Sequence, residues 1–126
     1  MAKILIVDDV KMMRHTIKSY ATKLGFKEVF DAENGWEGVN KYNLLRPDVV
    51  TMDITMPERN GIENGIDALV AIRKDFPEAS IIMLTSHGEQ KQVIDAISKG
   101  AKGYILKPIT LEKLRDALSK LELDMS

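Results

Sequence analysis

Short apolar runs alternate along the chain with longer segments in which apolar residues recur every three or four positions. Continuous apolar runs of this length are typical of strands that are buried on both faces of a parallel sheet. The predicted strands are centred on Ile4–Val7, Val29–Phe30, Val49–Met52, Ile81–Leu84 and Tyr104–Leu106.

The segments between these runs predict five amphipathic helices. Gly25, Arg46-Pro47, Pro77 and Gly100 are expected to end the first four, and the fifth is expected to run almost to Ser126. The apolar positions of the five helices are Val10, Met13, Ile17, Ala21 and Leu24, then Trp36, Val39 and Tyr42, then Ile66, Leu69, Ile72 and Phe76, then Val93, Ile94 and Ile97, and finally Leu111, Leu114, Leu118 and Leu121.

The order of these elements is strand then helix, repeated five times. Such alternation is typical of an α/β protein with right-handed crossovers and helices on both faces of the sheet. We therefore predict a doubly wound, five-stranded parallel sheet. No linker or low-complexity stretch interrupts the pattern, so we expect residues 1–126 to form a single domain with no output domain attached.

A four-residue repeat lies between the third strand and the third helix, where Asn60-Gly61-Ile62-Glu63 is followed at once by Asn64-Gly65-Ile66-Asp67. The dipeptide Asn-Gly often marks a hairpin. No alternating strands flank either copy here, so the pattern favours a loop and the entry to a helix.

Polar side chains follow four of the five predicted strands at the points where the strands end. Functional sites of open parallel sheets form at these carboxyl ends, so we expect the side chains to lie close together. They are Asp8-Asp9, Asp53, Thr85-Ser86 and Lys107-Pro108.

Three clustered carboxylates repel one another, which raises their pKa values and favours binding of a cation. A small set of oxygen ligands with room for water suits Mg²⁺. Neither GxxxxGK[ST] nor GxGxxG occurs in the chain, so no nucleotide-binding loop is expected. A carboxylate can attack phosphorus to form an aspartyl phosphate, and a cation, an ammonium group and hydroxyl or backbone N–H donors would stabilise the transferred group.

The composition narrows the possible functions. The 18 Lys and Arg residues nearly balance 19 Asp and Glu residues, giving a net charge of -1, which argues against binding nucleic acid or membranes through charge alone. The chain has no cysteine, which excludes disulfides and thiolate chemistry. The first apolar run is too short for a signal peptide, so a cytoplasmic location is expected.

The motifs at the strand ends resemble those of the receiver domain of two-component response regulators, and single-domain chemotaxis regulators are the nearest type. Five separated motifs agree with that family in order and spacing: Asp8-Asp9, Asp53, Met56-Pro57 with Gly61, Thr85, and Lys107-Pro108. The resemblance implies a flavodoxin-like (βα)5 fold with strand order 2-1-3-4-5, an order that periodicity by itself does not specify. It also implies a cis bond between Lys107 and Pro108.

The resemblance further implies a role for each site residue. Asp53 would accept a phosphoryl group from the phosphohistidine of a histidine kinase. Asp9 and Asp53 would ligate Mg²⁺, Asp8 would support it, often through water, and the backbone carbonyl of Thr55 would complete the site. Thr85 and Lys107 would contact the phosphoryl group, and Tyr104 would turn inward as the protein is activated.

The function implied is a signalling switch and not an enzyme acting on other substrates. Phosphorylation would change the surface formed by helix 4, strand 5 and helix 5, and this surface would bind a partner protein in trans. In chemotaxis the flagellar motor switch is one candidate for that partner. We expect a monomer that binds neither nucleic acid nor membranes.

Three other interpretations remain open. A small phosphatase could use an aspartyl nucleophile, but such enzymes usually carry a second acid two residues later, where this chain has Thr55. A flavin carrier could share the fold, but Asp8-Asp9 would repel the flavin phosphate. The chain could also be a receiver fragment of a larger transcriptional regulator or phosphorelay protein.

Two features depart from or vary within the family pattern. About four extra residues, roughly one helical turn, stand around Ile62–Gly65 and could lengthen the third helix or enlarge the loop beside Asp53. Thr55 and His87 flank the site and could influence the lifetime of the phosphoryl group.

Overall fold

The computed structural model describes residues 2–123 and residue 125, and in this part of the chain five strands alternate with five helices. The elements are β1 (Lys3–Val7), α1 (Lys11–Lys23), β2 (Glu28–Ala32), α2 (Gly35–Leu45), β3 (Val49–Asp53), α3 (Gly65–Asp75), β4 (Ile81–Thr85), α4 (Gln90–Ser98), β5 (Gly103–Leu106) and α5 (Leu111–Ser119).

The strands form one parallel sheet in the order β2-β1-β3-β4-β5, which confirms the predicted fold class and strand order. Successive residues of a strand point to opposite faces, so the apolar runs supply two cores. On β1, Leu5 and Val7 pack in the core that contains residues of α2 and α3. Ile4 and Ile6 pack in the other core, which contains residues of α1 and α5.

Three details of the helices differ from the predictions. Val10 precedes α1 as its N-cap residue and is exposed. Helix α5 ends at Ser119 and does not approach Ser126, which itself lies outside the described residues. Leu121 lies beyond the helix but still packs against the core formed with α1 and α5, as does Leu123 in the same segment. On α4, Ile94 and Ile97 are exposed, whereas Ala96 is buried in the core and Val93 packs against it.

The two Asn-Gly pairs adopt different structures. Arg59 and Ile62 exchange backbone hydrogen bonds of 3.0 Å around Asn60 and Gly61, whose φ angles are 50° and 85°. Positive φ at both central residues is typical of a type I′ hairpin turn, so the prediction of a plain loop is wrong for the first pair. Two hydrogen bonds close this hairpin without long flanking strands.

The second pair begins a helix, as predicted. Asn64 is the N-cap residue of α3, and its side-chain oxygen accepts a hydrogen bond of 2.9 Å from the backbone N–H of Asp67. Gly65 is the first residue of the helix. Residues 62–64 therefore belong to the loop between β3 and α3, and only Gly65 of this segment lies in the helix.

Deleting Ile62–Gly65 is expected to preserve the fold. Because the two copies are nearly identical, the deletion joins Asn60-Gly61 to Ile66-Asp67 and restores the sequence that caps α3. The loss of Ile62, which is partly buried against the core, is expected to cost about 1 kcal/mol of stability. Far-UV circular dichroism and thermal unfolding measure both effects. A spectrum without helix would contradict the expectation.

Within the described residues, no helix combines the length and apolar character needed to cross a membrane.

Candidate functional site

The register of the sheet explains why the chemistry-bearing residues meet at one edge. Val7 lies beside Met52, and Asp53 lies beside Leu84, in adjacent parallel strands. Thr85 lies beside Leu106. The residues that follow β1 and β5 therefore leave the sheet at the same edge as Asp53 and Thr85.

Three carboxylates meet at this edge. Asp8, Asp9 and Asp53 each place an oxygen within 4.8 Å of the others. Asp8 is 0% exposed and Asp53 is 4% exposed, whereas Asp9 is open to solvent. Lys107 Nζ donates a hydrogen bond of 3.1 Å to Asp53 Oδ1 and lies 4.0 Å from Asp8 Oδ2. The structure thus brings together the acids and the lysine singled out from the sequence.

Burial dominates the electrostatics of the two inner acids. The pKa of Asp53 is raised to about 6: burial is the largest cause, the charge of Asp8 adds to it, and Lys107 offsets only part of the combined effect. Burial also raises the pKa of Asp8 above its ordinary value, against a hydrogen bond from the Val10 backbone. Repulsion between carboxylates, which the sequence suggested as the cause, is therefore the smaller contribution.

One oxygen of Asp8 indicates that the cluster fits a cation. Asp8 Oδ1 accepts a hydrogen bond of 2.8 Å from the backbone N–H of Val10. Asp8 Oδ2 is buried and has no hydrogen-bond partner among the described residues. The Lys107 ammonium, 4.0 Å away, is too distant to donate a hydrogen bond to this oxygen, so a bound cation would compensate its buried charge further. The oxygen-only donor set is consistent with Mg²⁺.

Arg14 supports the segment that carries Asp8 and Asp9, and the sequence did not reveal it. From α1 it donates a hydrogen bond of 2.8 Å to the backbone carbonyl of Asp8. Its Nε donates a second bond of 2.9 Å to Asp31 at the end of β2. This nearly buried guanidinium joins the ends of β1 and β2. Its position, three residues before Ile17 and seven before Ala21, lies on the buried side of α1 and is the signal that could have found it.

Thr85 is directed towards a carboxylate other than Asp53. Its hydroxyl donates a hydrogen bond of 3.2 Å to Glu89 Oε1, which also accepts a bond of 2.5 Å from the backbone N–H of Ser86. The hydroxyl of Thr55, on the loop after β3, donates to Glu89 Oε2. Sequence patterns did not single out Glu89, although an acid four residues after Thr85 stands close to the same strand end.

Glu89 is held in its charged form. Its burial alone would raise the pKa, but hydrogen bonds from Thr55 and Ser86 outweigh this effect, and the pKa of Glu89 lies below its ordinary value. Glu89 is thus a fourth carboxylate at the carboxyl edge of the sheet, and it already accepts hydrogen bonds from Thr55, Thr85 and Ser86.

Tyr104 points away from the core. It lies on β5, is 55% exposed, and borders a cavity of about 280 Å³ that Thr85 and His87 also line. The peptide bond between Lys107 and Pro108 is cis, as the resemblance implied.

Gly65, and not Gly61, packs against the strand that carries Asp53. A Cβ atom at Gly65 would lie 2.0 Å from the carbonyl oxygen of Asp53, whereas one at Gly61 would meet nothing within 4 Å. The backbone N–H of Gly65 donates a hydrogen bond of 2.8 Å to the carbonyl of Ile54. The close contact with the backbone of Asp53 is therefore made by the second copy of the repeat. The sequence predicted such a contact for neither copy.

The parallel sheet, the acidic cluster at its carboxyl edge and the lysine from the last loop define a receiver-type site. A family model of the response regulator receiver domain matches residues 4–119, and the chain belongs to this family. Receiver domains are switches of two-component signalling.

Among its relatives are single-domain chemotaxis regulators. The chain is 47% identical to chemotaxis protein CheY of Listeria monocytogenes, over 95% of this chain and 98% of that protein. It is 48% identical to CheY of Bacillus subtilis, over 94% and 95% of the two chains. A solved CheX-CheY-BeF3-Mg²⁺ complex from Borrelia burgdorferi contains a chain with 32% identity and a TM-score of 0.88, covering 98% of this chain and 90% of that one. The chain is therefore a CheY-like receiver domain.

Proposed function

We propose that Asp53 is the phosphoacceptor of this switch and receives its phosphoryl group from the phosphohistidine of a histidine kinase. The observation that carries the proposal is the environment of Asp53. Its buried carboxylate contacts Lys107 and lies beside two further acids at the carboxyl end of β3. An attacking oxygen, a positive charge for the transferred group and a cation site thus lie together.

The chemistry is an in-line phosphoryl transfer. A bond forms between a carboxylate oxygen of Asp53 and phosphorus, the bond from phosphorus to the histidine nitrogen breaks, and the nitrogen keeps the electron pair. Lys107 and the Thr85 hydroxyl would bind oxygens of the transferred group. Asp8, Asp9, Asp53 and the Thr55 carbonyl would hold Mg²⁺, which supplies further positive charge beside those oxygens.

The output would be a change in the surface of α4, β5 and α5. Tyr104 borders the cavity next to Thr85, so its ring has space to turn inward when Thr85 moves. Ile94, which is 71% exposed, Ile97 and Tyr104 present apolar area on this side of the protein. Such a surface suits a partner protein bound in trans.

The names of the relatives support chemotaxis as the setting, because the Listeria and Bacillus proteins are chemotaxis proteins. In that setting the chain would act in the cytoplasm as a monomeric, single receiver of residues 1–126. A histidine kinase would supply its signal, and the flagellar motor switch is one candidate target.

The direct test is incubation with acetyl phosphate and Mg²⁺. We expect one labile phosphoryl group for each chain, located on Asp53 by peptide mapping and absent when a chelator removes Mg²⁺. Continuous release of phosphate from many small phosphomonoesters, with no phosphorylated state accumulating, would favour the phosphatase interpretation instead.

Magnesium alone is expected to stabilise the folded chain. A ligand that binds only the folded state raises the free energy of unfolding, by about 1–3 kcal/mol at concentrations well above its Kd. The Mg²⁺ affinity should fall as the pH drops below about 6, because protons compete with the ion at Asp53. Thermal unfolding with and without Mg²⁺ measures the effect. Asp9→Asn should remove most of it, whereas Asp75→Asn, an exposed change on α3, should leave it intact.

A further inference from the structure

Three hydrogen-bond donors from two loops converge on the side chain of Glu89. The Thr85 hydroxyl and the Ser86 backbone N–H donate to Oε1, at 3.2 Å and 2.5 Å. The Thr55 hydroxyl donates to Oε2. Both oxygens of this one carboxylate are therefore bound, and they join the loop after β3 to the loop after β4.

Two of these donors are the groups that a phosphoryl group on Asp53 would need. The function proposed above assigns the Thr85 hydroxyl to a phosphoryl oxygen, and the Ser86 backbone N–H follows it directly where β4 ends. A carboxylate and a phosphoryl group are both anionic oxygen acceptors that form strong, short hydrogen bonds. A hydroxyl has a single proton to donate, so Thr85 cannot serve both acceptors at once.

We infer that Glu89 is an internal competitor for the phosphoryl group, and this inference rests on the proposed function. In the unphosphorylated chain its carboxylate occupies the donors of Thr85 and Ser86. Phosphorylation of Asp53 has to displace it from both. Glu89 is thus a positioning residue that opposes the phosphorylated state and favours its reversal.

The position of Glu89 extends the consequence to α4. Glu89 is the N-cap residue of this helix, and its backbone carbonyl accepts a hydrogen bond of 3.0 Å from the N–H of Val93. Release of the side chain therefore frees the first turn of the helix from the loop that carries Thr55. Binding of a phosphoryl group by Thr85 and Ser86 would in this way change the contacts of α4, the helix that carries the exposed Ile94.

The variant Glu89→Gln tests this inference, because it keeps the length of the side chain and removes its charge. We expect beryllofluoride, with Mg²⁺, to bind the variant about tenfold more tightly than it binds the natural chain, a difference of about 1.4 kcal/mol. Uptake of phosphate from acetyl phosphate should accelerate in the same direction. The matched control is Glu78→Gln, which removes the same charge from an exposed position before β4 and should change neither quantity.

A second readout needs no phosphoryl group. In the natural chain the Ser86 amide proton, bound to a carboxylate, should resonate downfield, and Glu89→Gln should move it upfield. Unchanged or weaker beryllofluoride binding by Glu89→Gln, or an unmoved Ser86 resonance, would overturn the competition. Failure of the natural chain to bind beryllofluoride would instead count against Asp53 as phosphoacceptor, and the Ser86 resonance would still test the contact.

Discussion

Replacing Asp53 by asparagine is expected to abolish phosphoryl uptake from acetyl phosphate while leaving the fold intact. The amide has nearly the same shape as the carboxylate, but it is a poor nucleophile and a weaker ligand for a cation. The measurement is mass spectrometry of the intact protein after incubation with acetyl phosphate and Mg²⁺. Asp75→Asn makes the same chemical change on the exposed end of α3 and should be labelled like the natural chain. If the Asp53→Asn protein were still labelled, the phosphoryl group would be carried by another residue and Asp53 would not be the phosphoacceptor.

The same variant is expected to be more stable than the natural chain at pH 7 when no metal is present. The pKa of Asp53 is about 6 in the folded chain and 3.8 in its unperturbed form, so between these values the folded chain binds more protons than the unfolded one. Stability therefore falls as the pH rises through this window, and the loss is complete above pH 6. Asp53→Asn removes this cost, which is on the order of 1–3 kcal/mol.

Urea unfolding at pH 7 and pH 4 in the presence of a chelator measures this difference. The advantage of the variant should be present at pH 7 and mostly absent at pH 4, where Asp53 is protonated in the folded chain. An equal advantage at both pH values would show that the charge of Asp53 is not its cause.

Replacing Gly65, the first residue of α3, by alanine is expected to destabilise the fold strongly. The new Cβ would lie 2.0 Å from the Asp53 carbonyl oxygen, 2.9 Å from its carbonyl carbon and 3.1 Å from Ile54 Cα. All three are backbone atoms, which cannot rotate away as a side chain can. Separating α3 from the end of β3 would break the hydrogen bond from Gly65 to Ile54 and should cost about 3–5 kcal/mol.

Two other glycines provide controls for this change. A Cβ at Gly103 on β5 would meet nothing within 4 Å, so Gly103→Ala should alter stability by no more than about 0.5 kcal/mol. Gly61 has equal space but a φ of +85°, so Gly61→Ala should cost about 1 kcal/mol through the backbone alone. Urea unfolding of the three variants separates these causes. A Gly65→Ala protein as stable as Gly103→Ala would show that the contact with Asp53 can be relieved.

Most of the scaffold could be predicted from local patterns. Each buried strand is a run of apolar residues, such as Ile81–Leu84, because both of its faces are covered by helices. The rule that sites form at the carboxyl ends of parallel strands then grouped Asp8, Asp9, Asp53 and Lys107 from their positions in the sequence. The strand order, by contrast, came from the resemblance to receiver domains, since periodicity does not specify which strands are neighbours.

The features that were missed depend on groups that are distant in sequence or on backbone geometry. Arg14 was not singled out from the sequence, because its two partners at the ends of β1 and β2 meet it only when the strands are adjacent. The Asn60-Gly61 hairpin has no strand pattern around it because it is closed by a single pair of residues. The two glycines of the repeat have the same immediate neighbours in sequence, and only the packing of α3 on β3 distinguishes them.

The amino-acid sequence alone specified an alternating α/β chain and the kinds of side chain that stand at its strand ends, because burial and strand direction follow from local periodicity. Tertiary structure decided which donors meet which acceptors. Thr85 and Thr55 lie 30 residues apart in the chain, yet both bind Glu89, because adjacent parallel strands release their loops at the same edge. A hydrogen bond forms only when its donor and acceptor lie within a range of a few tenths of an ångström. The pattern of residues along the chain does not encode positions that accurately.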